Sequence, residues 1–192
     1  EKQMLNYLYE VGNIMDDIFW TQQFGGDKET FLNSIQDPDA RLFAEINYGP
    51  WNHFDGLAPF LPDYGEMPAG AGFYPVDMTK EEFEAWDNPD KTSLYTLVRR
   101  DEKGNLQSVW YHDAYAEQIQ KAAKLLEEAS KLAGDKEFAD YLSLRAKALL
   151  TDDYFESDMA WMDVRNNNVD FVVGPIENYV DALYGYKAAH EA

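Results

Sequence analysis

Cysteine is absent from the 192 residues, which excludes disulfides, thiolate catalysis and cysteine-based zinc sites. Cationic side chains are scarce: 16 lysines and arginines stand against 36 aspartates and glutamates, a formal charge of −20. Such a chain repels phosphate backbones and anionic lipid surfaces, so neither nucleic acid nor a membrane is an expected partner. No apolar run approaches the roughly 18 residues that span a bilayer, and no signal-like segment opens the sequence. A cytoplasmic setting is the expectation, with a leader removed ahead of Glu1 as its alternative. No nucleophile triad, metal motif or phosphate loop occurs either.

What is present suffices for a packed core, since 45% of the residues are hydrophobic and 15% aromatic. The chain reads as a single domain or lobe over 1–192, α+β and predominantly helical, its helices packed around a small, mostly antiparallel sheet. Residues 1–46 read as helical. Met4, Leu8, Val11, Met15 and Ile18 alternate spacings of four and three, marking an amphipathic helix that Gly25-Gly26 ends. Asp27 then caps a short helix through Phe31, Leu32 and Ile35, and Asp37-Pro38 opens another with Leu42, Phe43 and Ile46. Asp16-Asp17 reads as the solvated face of the first helix.

Five of the eight prolines fall within 47–78, interleaved with glycines and with Tyr48, Trp51, Phe54, Phe60, Tyr64, Phe73 and Tyr74. That mixture reads as an ordered loop packed over the domain, with the lining of a cleft as its alternative, and with His53 in a structural, hydrogen-bonded role. Thr79 and Glu82 form a capping box ahead of Phe83 and Trp86. Residues 93–111 read as a β-hairpin turning at Asp101–Gly104, with Arg99-Arg100 as a charged strand end. Residues 114–150 read as a helical hairpin: a stripe of Tyr115, Ile119, Ala122, Leu126 and Ala129 runs to Gly134, where Asp135 caps the return helix.

Residues 151–163 crowd five carboxylates among aromatics, but the glycine that a calcium loop requires is missing. A carboxylate-based glycoside hydrolase remains a rival reading of these residues. The segment 169–192 reads as a strand, Val169–Val173, broken by Gly174-Pro175, which delivers Glu177, Asn178 and Tyr179 to a cleft.

Three blocks resemble the dipeptidyl peptidase III family, zinc-dependent exopeptidases that remove dipeptides from the amino end of short peptides. They are Ile46–Trp51 with Pro68–Met78, then Leu149–Asp163, then Gly174–Tyr179 with Tyr186–Ala192. The similarity is to the bacterial members and to plant members fused to a Nudix domain. The family signature, His-Glu-x-x-Gly-His with a further Glu downstream, does not occur, and His190-Glu191 is not that motif.

The resemblance therefore implies an amino-terminal, substrate-recognition part of such a peptidase, with no catalytic residue or metal ligand of its own. It implies that Glu177 reads the free α-ammonium of an oligopeptide, that Asn178 and Glu191 contribute to the same substrate-binding surface, and that Tyr179 contacts the transition state near the scissile carbonyl. Zinc is then a cofactor of the full-length parent rather than of this chain. The expected partners are the oligopeptide, held by its free N-terminus, and the zinc-binding remainder of the same polypeptide. The alternative is a stand-alone acidic peptide-binding or interaction module without catalysis.

Overall fold

A computed structural model describes residues 2–192; Glu1, counted in the helical stretch 1–46, lies outside the described residues. In chain order the elements are α1 (Lys2–Phe24), α2 (Lys28–Ser34), α3 (Pro38–Ile46), β1 (Trp51–Asn52), β2 (Ala58–Pro59), α4 (Lys80–Ala85), β3 (Thr96–Arg100) and β4 (Leu106–Trp110). They continue as α5 (Tyr111–Ala114), α6 (Ala116–Leu132), α7 (Lys136–Thr151), α8 (Phe155–Asp163), β5 (Gly174–Glu177) and β6 (Ala189–Glu191). The architecture is α+β and mostly helical.

The local chemistry places the helix starts. The Asp27 carboxylate accepts the Thr30 N–H at 2.7 Å, Asp37 accepts from Asp39 and Ala40, and Asp135 accepts from Phe138 at 2.9 Å. The Thr79 hydroxyl accepts the Glu82 N–H, but the Glu82 carboxylate turns to Arg100 at 2.8 Å, so only half of the expected capping box is engaged at the helix end. The apolar stripe of α1 packs on α6, α6 packs on α7 and α7 on α8, giving a layered helical core. Met15, Ile18, Ile119, Leu126, Leu142 and Leu149 are fully buried there, each contributing roughly 1.5–3 kcal/mol of apolar burial.

The β-structure departs from expectation. Rather than one sheet, the described residues form three separate antiparallel pairs, β1–β2, β3–β4 and β5–β6. Residues 169–173 form no strand: pairing begins only at Gly174, opposite Glu191, after a backbone turn that puts Gly174 at φ +124°. A strand arriving from Val169 would have to continue straight where Gly174 bends it. The hairpin β3–β4 pairs in register from Thr96↔Trp110 to Arg100↔Leu106, with Gly104 at φ +85° in its turn.

Arg99 does more than end the strand with a charge. Its half-buried guanidinium lies against the 70–74 loop and donates to the carbonyls of Phe73 and Gly72 at 3.1 and 3.0 Å. Arg100 keeps the acidic partners, Asp77 and Glu82.

Lys187 is fully buried, its ammonium donating to the Lys91 and Ser93 carbonyls and the Thr96 hydroxyl at 2.8–2.9 Å. Burial pulls its pKa down to about 8, against a partial upward pull from Asp181. Between that value and the ordinary 10.5 the unfolded chain holds a proton that the folded chain has released, so the contribution of Lys187 to stability rises with pH across this window. Urea melts from pH 7 to 9 should show the stability of the wild type rising relative to that of Lys187→Met, which has no proton to release; a pH-independent difference between the two would contradict it.

Candidate functional site

The β5–β6 pair forms a small platform. Gly174 takes φ +124°, which strains any side-chain-bearing residue, and a Cβ there would sit 3.3 Å from the Tyr154 ring and 3.6 Å from the Arg145 guanidinium. From there the strand carries Ile176 and Glu177 outward to solvent. Tyr179, just beyond it and 62% exposed, donates its hydroxyl to Glu191 at 3.0 Å. Partial burial, reinforced by that bond and by the carboxylate charge, pushes the phenol up to about 12, so it stays a protonated donor at neutral pH. Burial also raises Glu191, against the Tyr179 bond, while the charge of Glu177 raises both.

Tyr179 and Glu191 thus touch, and Glu177 lies on the same face, opposite Ala189 in the ladder. Asn178 is engaged elsewhere: its amide donates to the Gly185 carbonyl at 2.7 Å and holds the following turn, where Gly185 takes φ +70°.

Two cavities meet at Tyr179. One of about 240 Å³ is lined by Asp16, Phe19, Tyr48, Tyr179, His190 and Glu191. The other, of about 250 Å³, is lined by His53, Leu57, Met67, Pro68, Tyr179 and Val180. The Pro/Gly/aromatic loop supplies Tyr48, His53, Leu57 and Met67, so it lines this cleft rather than merely covering the core. Asp16 is only partly solvated: in the lining of the first cavity it accepts a hydrogen bond from the Tyr48 hydroxyl, and it approaches Lys28 at 3.8 Å, whereas Asp17 pairs with Lys28 at 3.0 Å.

The groups that fix this geometry are ones that sequence reasoning passed over. Gln22 continues the stripe Met4, Leu8, Val11, Met15, Ile18 by one more step of four and is fully buried. A polar residue on an apolar stripe must find partners in the core, and that was the available signal. Its Oε1 accepts the His190 N–H at 2.7 Å and its Nε2 donates to His190 Nδ1 at 3.0 Å, which pins β6 beside Glu191 and leaves the His190 proton on Nε2. Burial drives His190 down to about 3 and keeps it neutral.

Gln23 does the same for the loop, donating to the Asn47 carbonyl at 2.9 Å and to His53 Nε2 at 2.8 Å. Asp181 organises the chain after Tyr179: it accepts from the Tyr74 hydroxyl and from the N–H groups of Leu183, Tyr184, Tyr186 and Lys187 at 2.7–3.1 Å.

The carboxylates of 151–163 are dispersed among separate partners. Asp152 bonds His112 at 2.7 Å, Asp158 pairs with Arg145, and Glu156 approaches Lys147. Among the described residues no three or more His, Asp or Glu side chains gather where they could hold a metal ion. No described helix is long and apolar enough to cross a membrane.

No family model matches the chain. Nudix hydrolase 3 of Arabidopsis thaliana is 26% identical over 252 aligned residues, which take in all of this chain and 32% of the plant protein. The solved structure of DPP III from Caldithrix abyssi matches 98% of the chain with a TM-score of 0.90 and 37% identity. That of dipeptidyl-peptidase III from Corallococcus sp. strain EGB matches 98% with a TM-score of 0.90 and 33% identity. The chain spans 38% and 37% of those two proteins and about a third of the plant one. Nearly the whole chain is therefore similar, in sequence and in fold, to part of a dipeptidyl peptidase III.

Proposed function

We propose that this chain is the amino-terminal, substrate-recognition part of a zinc-dependent dipeptidyl peptidase, catalytically incomplete by itself. The observation that carries the reading is the exposed face on which Glu177 joins the Tyr179–Glu191 pair, with Tyr179 lining two cavities, in a chain 37% identical to a DPP III. An exopeptidase must count residues from a charged end. A carboxylate that pairs with the α-ammonium sets that register, because a misplaced peptide leaves the charges unpaired. Glu177 takes this role, with Glu191 as a second carboxylate nearby. Tyr179, a protonated donor, contacts the scissile carbonyl oxygen as charge develops on it. Asn178 acts by holding the turn behind Tyr179.

The residues present do not fit zinc. The His53, His112 and His190 rings are bonded to Gln23, Asp152 and Gln22 respectively, and no cluster of ligands forms among the described residues. In this reading the metal and its ligands belong to the remainder of the polypeptide, and no step is assigned to them here.

In the full-length enzyme, Glu177→Gln should raise KM for a dipeptidyl substrate roughly 10-fold, a loss of about 1.4 kcal/mol of binding, with kcat little changed. Steady-state kinetics on a dipeptidyl naphthylamide measure this, with the same substrate blocked at its amino group as control. An unchanged KM removes the role given to Glu177.

A further inference from the structure

The β1–β2 hairpin, between Asn52 and Ala58, carries the one Asp-Gly step in the sequence, Asp55-Gly56, and Asn-Gly does not occur. Gly56 and Leu57 both take positive φ, +58° and +62°, and the Ala58 N–H closes back on the Asp55 carbonyl at 3.1 Å, a tight turn of the mirror-image kind. Leucine holds that left-handed conformation at a cost, because its Cβ crowds the following carbonyl oxygen. The strained residue lines the cavity of about 250 Å³ that Tyr179 also lines.

The hydrogen bonds of this turn leave one gap. The N–H groups of His53 and Phe54 are bonded to the side chains of Asn47 and Asn52, those of Asp55 and Leu57 to the Asn52 carbonyl, and that of Ala58 to Asp55. The Gly56 N–H between them finds no acceptor among the described residues. The Asp55 side chain is exposed and accepts no hydrogen bond from the described residues, and nothing lies within 4 Å of where a Gly56 Cβ would stand. An unengaged carboxyl group is thus joined to an unengaged, unhindered amide nitrogen. Comparable steps elsewhere are locked: Asp101 accepts from the N–H groups of Lys103 and Asn105, and the His53 N–H after Asn52 is held by Asn47.

We infer that Asp55-Gly56 is a site of spontaneous aspartate isomerisation, a covalent modification that moves Leu57 out of the cavity wall beside Tyr179. The Gly56 nitrogen attacks Cγ of the Asp55 carboxyl group: an N–Cγ bond forms, the amide proton leaves, and a Cγ–O bond breaks to release the hydroxyl as water, closing a five-membered succinimide. Water then adds back. Attack at Cγ restores aspartate, whereas attack at the main-chain carbonyl breaks that C–N bond instead and leaves isoaspartate, with the chain running through Cβ and Cγ. One water leaves and one is taken up, so no oxidant, cofactor or enzyme is required. The product lengthens the main chain by one carbon between His53 and Leu57, two residues of the cavity wall. It also turns the carbonyl on which the Ala58 N–H closes into a free carboxylate. The turn opens, and the left-handed conformation of Leu57 is no longer imposed.

The full polypeptide encoded by the gene is held for weeks at pH 6 and 37 °C, digested, and mapped by electron-transfer fragmentation, which separates isoaspartyl from aspartyl peptides of equal mass. Isoaspartate at residue 55 should accumulate about 10-fold faster than at residues 52 and 101, since only glycine puts no Cβ beside the attacking nitrogen. It should not form in Asp55→Glu, which keeps the charge but must close a six-membered ring. A residue 55 that stays aspartyl in the native protein while it isomerises in urea overturns the inference, because the turn then holds the two atoms apart. Equal accumulation at the three positions overturns it as well. The displacement of Leu57 is read as dipeptidyl hydrolysis on the same samples, and this part rests on the peptidase reading above. Activity should be lost in step with isoaspartate in the wild type and retained in Asp55→Glu. Isoaspartate with undiminished activity overturns the displacement, whereas a fresh sample without activity removes the peptidase reading and leaves the mapping to decide the modification.

Discussion

Gly72→Ala destabilises the protein by about 3 kcal/mol, the upper part of the range for overpacking a core. A methyl group at residue 72 would lie 2.3 Å from the Thr21 carbonyl oxygen, 2.9 Å from that of Gln22 and 2.9 Å from the Gly25 Cα. All three are backbone atoms at the end of α1, so no side chain can swing aside. Relief requires the 70–74 loop to lift off the helix. That movement breaks the Gly72 N–H bond to the Gln22 carbonyl, at 2.7 Å, and displaces the carbonyl that Arg99 holds. For a chain of this size the loss corresponds to a fall of roughly 6–12 °C in Tm. Gly65→Ala is the matched control, since a Cβ there meets nothing within 4 Å. Equal melting temperatures for the two variants would remove the argument.

Gln22→Ala is expected to cost a similar amount, about 3 kcal/mol, because it orphans two buried groups of His190, the backbone N–H and Nδ1, at roughly 1–3 kcal/mol each. The consequence extends to the site. With the pin gone, β6 loses its tie to α1 immediately before Glu191, and the Tyr179–Glu191 bond loses the fixed position of its acceptor. Denaturant unfolding gives the first effect. The second shows in the phenol titration of Tyr179, which should fall part of the way from about 12 as the bond and charge of Glu191 are lost, while burial, the larger cause, keeps it above the ordinary 10. A variant that melts like the wild type, with an unmoved tyrosine titration, would show that Gln22 carries neither load.

The helices and the β3–β4 turn were legible in the sequence because their signals are local. The spacing of Met4, Leu8, Val11, Met15 and Ile18, the aspartate caps at 27, 37 and 135, and the glycine at 104 each act within a few residues of themselves. The sheets were not legible to the same degree. The β-branched run at 169–173 carries strand propensity but no partner, while Gly174–Glu177, with a proline inside it, pairs because β6 reaches it from residues 189–191. Propensity lost to long-range pairing.

By itself the sequence determined that the chain is an acidic, cysteine-free, mostly helical α+β fold, and it pointed to Glu177, Asn178, Tyr179 and Glu191 through their resemblance to a peptidase family. Only the tertiary structure decided how those four divide. Tyr179 and Glu191 are bonded, Glu177 stands free on the same face, and Asn178 is turned to the chain behind them. It alone brought Asp16 and Tyr48, bonded to each other, into the lining of the cavity beside them and set Gln22 and Gln23 as the two pins of the cleft. The physical reason is separation along the chain. A cap or an apolar stripe is set by neighbours a few residues away, whereas Gln22 and His190 stand 168 residues apart, and their meeting depends on how every intervening element packs.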